Sequence, residues 1–224
     1  MKVCVFTSLA GDYDQLQPHP DIPDVDFIAF VDSPMESDYW RVIETQTHQD
    51  NPPRLAAKFY KITGPLLPIV GVYDVSLYID ANQEIVSPTF VDEALADLGP
   101  DGFALHKHSF RSDIYDEAEF SETMPKYAGQ PIIKQAEHYW DEGLPRDSGL
   151  WSCASMARAR SDKLDALMSD WWAEILAWSL QDQISLPYVL WKHGITPQAW
   201  PHTPPGSDPD VNPWLRIHRH IDGT

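Results

Sequence analysis

An α/β fold, with helices covering a central sheet, is what the sequence predicts from three observations. Short β-rich runs recur along the chain, each closes in polar or turn-forming residues, and Gly- and Pro-poor stretches long enough for helices follow them. The first run, Val3-Cys4-Val5-Phe6-Thr7, is closed by Ser8, Gly11 and Asp12 and reads as a buried strand entering a loop. The second, Phe27-Ile28-Ala29-Phe30-Val31, ends at Asp32-Ser33-Pro34. Open α/β sheets bind ligands beyond the carboxyl ends of their strands, so these polar ends are the first candidates for a site.

Later elements follow the same logic. Arg54 to Ile62 lacks Gly and Pro and follows Asn51-Pro52-Pro53, a helix start with proline before the first turn. Val75-Ser76-Leu77-Tyr78-Ile79 is a strand that runs into Asp80-Ala81-Asn82, and Phe103-Ala104-Leu105-His106 is another. Ile114 to Phe120 reads as a short helix or turn, and Pro131 to Asp141 as a helix broken by Gly143-Leu144-Pro145. Gly149 to Met156 suits a strand, Ser161-Asp162 caps a helix to about Leu180, and Asp182 to His193 is a further helix. Beyond Gly194 a Pro-rich loop leads to Trp214–Ile221, dense in Arg and His.

A chain of 224 residues with 43% hydrophobic and 12% aromatic content suffices for one core, and no repeat or linker divides it, so one domain over residues 1–224 is expected. The formal net charge of -18 argues against a general nucleic-acid binder, because phosphate backbones are gripped by surplus Lys and Arg. An anionic ligand must then find a local basic pocket. Cys4 and Cys153 are too few for a disulfide framework and match no zinc spacing. The apolar start meets Gly11-Asp12-Tyr13-Asp14 too early for a secretory signal, and no apolar run approaches the roughly 20 residues of a membrane span. A cytoplasmic protein is the expectation.

In Asp80-Ala81-Asn82 the two polar side chains alternate to one side of an extended backbone, which suits either a turn-forming pair or two oxygen ligands for Mg²⁺ or Mn²⁺. Arg54, Lys58 and Lys61 share one helix face, where neighbouring cations repel by about 0.2–0.5 kcal/mol per pair unless an anion offsets them. His108, Arg111, Tyr115 and Glu117 form a second polar cluster, and His106 with His108 makes an H-x-H pair. Asp182, between two helices, is either a cap or a carboxylate facing a sugar ring. His202, His218 and His220 suit either a nitrogen ligand from the tail or a loose basic tail.

These segments, in order, resemble a glycosyltransferase-like family long catalogued as a domain of unknown function, with plant Golgi and bacterial members. The resemblance runs through Arg54-Leu55-Ala56-Ala57-Lys58-Phe59-Tyr60-Lys61, Tyr78-Ile79-Asp80-Ala81-Asn82, the block from His108 to Ala118, and Ser179-Leu180-Gln181-Asp182-Gln183-Ile184-Ser185-Leu186-Pro187-Tyr188. Three positions depart from the family's pattern. The metal triplet ends in Asn82 and has Ala81 where Gly is expected, and Gln181 stands where Arg is expected.

The resemblance implies a GT-A fold with a Rossmann-like mixed sheet, a nucleotide-sugar donor, UDP-linked, and a role in polysaccharide biosynthesis. Thr7, Tyr13 and Asp32 would then embrace the nucleotide, and Arg54, Lys58, Lys61 and Arg111 its phosphates. Asp80, Asn82 and His218 would hold Mn²⁺ or Mg²⁺, Asp182 and Glu117 would be the catalytic carboxylates, and His108, Tyr115 and Gln183 would touch substrate. The acceptor would be a glycan or a lipid-linked hydroxyl, with retention of anomeric configuration. Two rival readings are a non-catalytic glycan-binding protein and a metal-dependent phosphoesterase built on His106 and His108.

Overall fold

The computed structural model describes residues 1–11, 13–46, 51–207 and 212–220. In chain order the elements are β1 (Val3–Leu9), β2 (Val25–Val31), β3 (Arg41–Glu44), α1 (Pro53–Thr63), β4 (Val75–Ile79), β5 (Gln83–Ile85), α2 (Phe90–Ala96), β6 (Phe103–Lys107) and α3 (Ile114–Glu122). Then come α4 (Ile132–Asp141), β7 (Trp151–Ala159), α5 (Asp162–Ala177), α6 (Asp182–His193), β8 (Gln198–Ala199) and β9 (Leu215–Ile217), with 3₁₀ turns at Gly64–Leu66 and Pro125–Tyr127. Seven strands form one sheet in the order β3-β2-β1-β4-β7-β6-β8. The first four are mutually parallel, β7 runs antiparallel to both β4 and β6, and β8 is parallel to β6. This is the mixed, Rossmann-like central sheet that was expected. A separate ribbon pairs β5 with β9.

Helices on both faces explain why β1 and β4 are buried throughout, without the alternation of a half-exposed strand. Alternate residues enter opposite cores. Val3, Val5 and Leu9 of β1 with Val75, Leu77 and Ile79 of β4 belong to one, lined by Phe90, Trp200 and Trp214. Cys4, Phe6 and Tyr78 belong to the other, under α5 and α6. Helix α1 lies on this second face, and Gly64 at its end is required there, because a Cβ would stand 2.6 Å from the Phe6 ring.

Several short elements escaped the sequence reading. Strands β3, β5, β8 and β9 have four residues or fewer, too short for a period to register, and α2 spans only Phe90–Ala96. Helix α5 stops at Ala177 because Trp178 leaves helical dihedrals (φ -127°, ψ -92°). Beyond it the Ser179 hydroxyl donates to Gln135 Oε1 at 2.5 Å and the Leu180 N–H to Gln130 Oε1 at 2.7 Å. Among the described residues no helix is long and apolar enough to cross a membrane.

Candidate active site

A cavity of about 710 Å³ opens where β1 and β4 end, against the side of α1 and the start of α6. The period-2 rule decides which strand residues reach it. Ser8 and Asp80 share parity with Phe6 and Tyr78, the α1 face, and both line the cavity. Thr7, expected as a nucleotide contact, points to the opposite core and is fully buried, and the residue of this strand end that lines the cavity is Ser8. The Ser8 hydroxyl donates to the Ala57 carbonyl of α1 at 2.8 Å and lies 3.2 Å from the Tyr78 hydroxyl.

The floor of the cavity is a ladder of four charges. Asp182 Oδ2 stands 2.7 Å from Lys58 Nζ and 2.9 Å from Lys61 Nζ, and Lys61 reaches on to Asp80 Oδ1 at 3.3 Å. Helix spacing supplies this: Lys58 and Lys61 are three apart on α1 and present their ammonium groups to one carboxylate. Asp182 is the first residue of α6, whose N-cap is Gln181, so the capping role is not its own; its carboxylate goes to the lysines. Burial would raise its pKa, but Lys58 and Lys61 outweigh burial and hold it well below the usual carboxylate range. For Lys61 burial is outweighed by Asp182 and Asp80, which raises its pKa, whereas for Lys58 burial prevails over Asp182 and lowers it.

Arg158 holds the end of α1 in place. It is 2% exposed, and its two Nη atoms donate to the carbonyls of Lys61 (2.9 Å) and Ile62 (3.1 Å). Burial lowers its pKa to about 9. Nothing in a strand motif marks an arginine as buried, and only the helix end above it explains the residue.

Tyr13, Asp14 and His220 form one wall of the cavity. The Tyr13 and His220 rings are 4.1 Å apart, and His220 Nδ1 is 2.6 Å from Asp14 Oδ1. The tail is carried there by the β5–β9 ribbon and by the His218 N–H, which donates to the Asn82 carbonyl at 2.8 Å. His218 itself is corrected as a ligand candidate: its Nε2 pairs with Glu84 at 2.8 Å, and the residue lining the cavity is His220.

The polar cluster around Glu117 is also displaced. Glu117 is 2% exposed and does not line the cavity. Its Oε2 is 2.5 Å from Arg111 Nε and 3.8 Å from His108 Nε2, while Oε1 accepts from Ser121 (3.1 Å) and from Gln181 Nε2 (2.9 Å). Neither Glu117 as a catalytic carboxylate nor Arg111 as a phosphate contact is placed to touch a ligand in the cavity; together they brace Gln181. Gln181 also accepts from the Tyr127 hydroxyl at 2.9 Å and reaches Gln183, which does line the cavity.

His108 Nδ1 accepts the Arg111 N–H at 3.1 Å, and Tyr115 gives its hydroxyl to the Leu144 carbonyl at 2.7 Å, so both are local braces outside the cavity. Asp32 is committed to the Gly11 N–H at 2.6 Å and orders the loop that carries Tyr13. His106 does not join His108. The strand slips register after Leu105, His106 is buried beside Trp200 and Trp214 with Nδ1 2.8 Å from the His202 carbonyl, and burial pushes its pKa down to about 4.

The model of the TOD1/MUCI70 glycosyltransferase-like domain matches residues 28–200 of the 224. The chain belongs to this family. It is accordingly a glycosyltransferase, and the match spans α1, the Asp80 strand end, the Glu117 cluster and Asp182. Among solved structures it is similar to mouse xyloside xylosyltransferase 1 in apo form, at 8% identity and a TM-score of 0.47, over 88% of this chain and 84% of that one. It is also similar to the apo bifunctional glycosyltransferase WbbM, at 10% identity and a TM-score of 0.46, over 89% of this chain and 38% of that one. No curated protein matches in sequence.

The family reading raises the question of a cation at this glycosyltransferase's Asp80-Ala81-Asn82. Both polar residues line the cavity, and the Asn82 amide nitrogen is given to the His218 carbonyl at 3.2 Å, which leaves its oxygen as the donor for a ligand. One carboxylate and one amide oxygen suit a hard divalent cation, and among the described residues no cluster of three His, Cys, Asp or Glu surrounds them. Such a cation would take its remaining ligands from substrate phosphates and water.

The depressed Asp182 pKa carries a stability consequence. A carboxyl group held below its unfolded value of about 3.9 contributes stability that is fully present above that pH and is lost as pH falls through the folded value. Thermal unfolding followed between pH 5 and pH 3 should show a steeper fall for the natural protein than for Asp182→Asn. Parallel curves would remove the ion pair from the stability account.

Proposed function

We propose that this glycosyltransferase moves a sugar from a UDP-linked donor to a hydroxyl of a glycan or lipid-linked acceptor, with a divalent cation and with retention of configuration. The observation that carries the reading is the ladder Lys58–Asp182–Lys61–Asp80 at the carboxyl end of the sheet, beside a cavity large enough for a nucleotide sugar. Tyr13 and His220 would flank the base, and Ser8 the ribose end. Asp80 and Asn82 would hold Mn²⁺ or Mg²⁺. When bound, the cation neutralises the diphosphate as it departs.

The chain's own residues do the rest. Lys58 and Lys61 present positive charge beside the leaving diphosphate, preorganised by Arg158 and by the carboxylates they already touch. Asp182, kept ionised by the lysines, is unable to donate a proton and suits stabilisation of the positive charge that develops on the sugar ring. Gln183 beside it would orient sugar hydroxyls.

Titration of UDP into the protein with and without Mn²⁺ tests the reading. The natural protein should bind UDP more tightly with Mn²⁺, and Asp80→Ala should lose that Mn²⁺-dependent gain while keeping its melting temperature within a few degrees, since the Asp80 side chain is 36% exposed. An unchanged Mn²⁺ effect in the variant would remove the cation from Asp80.

A further inference from the structure

The cavity wall carries more positive charge than its floor consumes. On the floor two lysines face two aspartates, and Asp14 faces His220. Arg54 and Lys126 also line the cavity, and among the described residues no carboxylate lies within 4.0 Å of either. The Arg54 guanidinium donates to the Lys126 carbonyl at 2.7 Å and stands 5.2 Å from the centre of the Tyr127 ring, with Lys126 Nζ 5.0 Å from the same ring. Two cations thus converge on one aromatic ring. Partial enclosure lowers the Lys126 pKa, and the charges of Arg54 and Lys58 add to it against the opposing pull of Asp182 and Glu117.

Position separates this pair from the floor. Arg54 precedes Lys61 by seven residues on α1, roughly 10 Å along the helix axis, and its side chain turns toward the 3₁₀ turn Pro125–Tyr127. The Tyr127 hydroxyl leads through Gln181 to Asp182, the end of the cavity assigned above to the sugar, while Tyr13 and His220 lie at the nucleotide end.

We infer that Arg54 and Lys126 form a second anion subsite, for a carboxylate or phosphate group carried by the sugar acceptor and distinct from the donor diphosphate. The inference rests on the donor placement proposed above. A guanidinium fork beside an ammonium recognises either group through charge-assisted hydrogen bonds, and the buried Tyr127 ring holds the two cations together. The chain's net charge of -18 repels polyanions, so the subsite selects a substrate with one or two charges rather than a densely charged chain.

The test uses calorimetric titration of the full chain and of Arg54→Gln/Lys126→Gln with four probes: UDP, glucose, glucuronate and glucose 6-phosphate. The natural protein should bind glucuronate or glucose 6-phosphate at least about fivefold more tightly than glucose. In the double variant that preference should vanish, with UDP affinity within about twofold of the natural value. Preference for glucuronate alone identifies a uronic acid, and preference for the phosphate alone a phosphate ester; either supports the subsite. Equal binding of glucose and both anions by the natural protein overturns it. So does a tenfold loss of UDP affinity in the variant, which would give these cations to the donor diphosphate. Absence of UDP binding to the natural protein would instead overturn the donor reading, and the sugar probes would still read the subsite.

Discussion

Asp182→Asn is expected to slow sugar transfer at least about a hundredfold, or roughly 2.7 kcal/mol of transition-state stabilisation, while UDP affinity stays within a few fold. The effect follows from the charge: asparagine keeps the size and a hydrogen-bond acceptor but removes the anion that the proposed mechanism sets beside the sugar. The same change also destabilises the protein. It leaves the ammonium groups of Lys58 and Lys61 in a buried site with only Asp80 to share, and breaking a buried pair costs about 3–5 kcal/mol. A loss of rate and a loss of fold must therefore be told apart. Lys58→Met/Asp182→Asn removes one cation with the anion, so it should regain much of the stability measured by denaturant unfolding but none of the rate. Recovery of turnover in the double variant would reduce Asp182 to a structural counterion.

Lys61→Met is expected to be the most destabilising single change at the site. Its side chain is 7% exposed and bridges two carboxylates, so its removal leaves Asp80 and Asp182 facing each other with Lys58 alone to compensate. A loss of about 3–5 kcal/mol is expected, and for a chain of this size roughly 2–4 °C of melting temperature accompanies each kcal/mol. A double-mutant cycle with Asp182→Asn isolates the pairing. The two changes should combine to cost less than their sum, by at least about 1 kcal/mol. Strict additivity would mean that the contact contributes nothing measurable.

Much of the site can be read before folding. The strand-end position of Asp80 and Asn82 follows from an apolar run that stops at a polar triplet, and the common face of Arg54, Lys58 and Lys61 follows from the helical period. Asp182 could be singled out at a helix junction, although only its contacts separate an ion-pair partner from a cap. The Glu117 block was as conspicuous as the Asp182 block, yet it faces inward to brace Gln181. Two blocks rich in ionisable residues look alike in one dimension, because sequence carries no record of which side of a helix meets solvent and which meets a neighbouring loop.

Local pattern, then, was enough for the α/β class, for the helices other than α2 and the long strands, and for the choice of strand ends as the candidate site, since these depend on periods of two and 3.6 residues and on turn chemistry within a few positions. Everything that joins distant segments needed the folded chain. Lys126 and Tyr127 come from a turn with no motif, His220 rather than His218 arrives through a ribbon between strands 130 residues apart, and Arg158 crosses beneath α1 to cap its end. Ser8 replaces Thr7 for a smaller reason: one residue along a strand reverses the face, and which face holds α1 is a property of packing, set by the long-range burial of Phe6 and Tyr78 and invisible to any single strand.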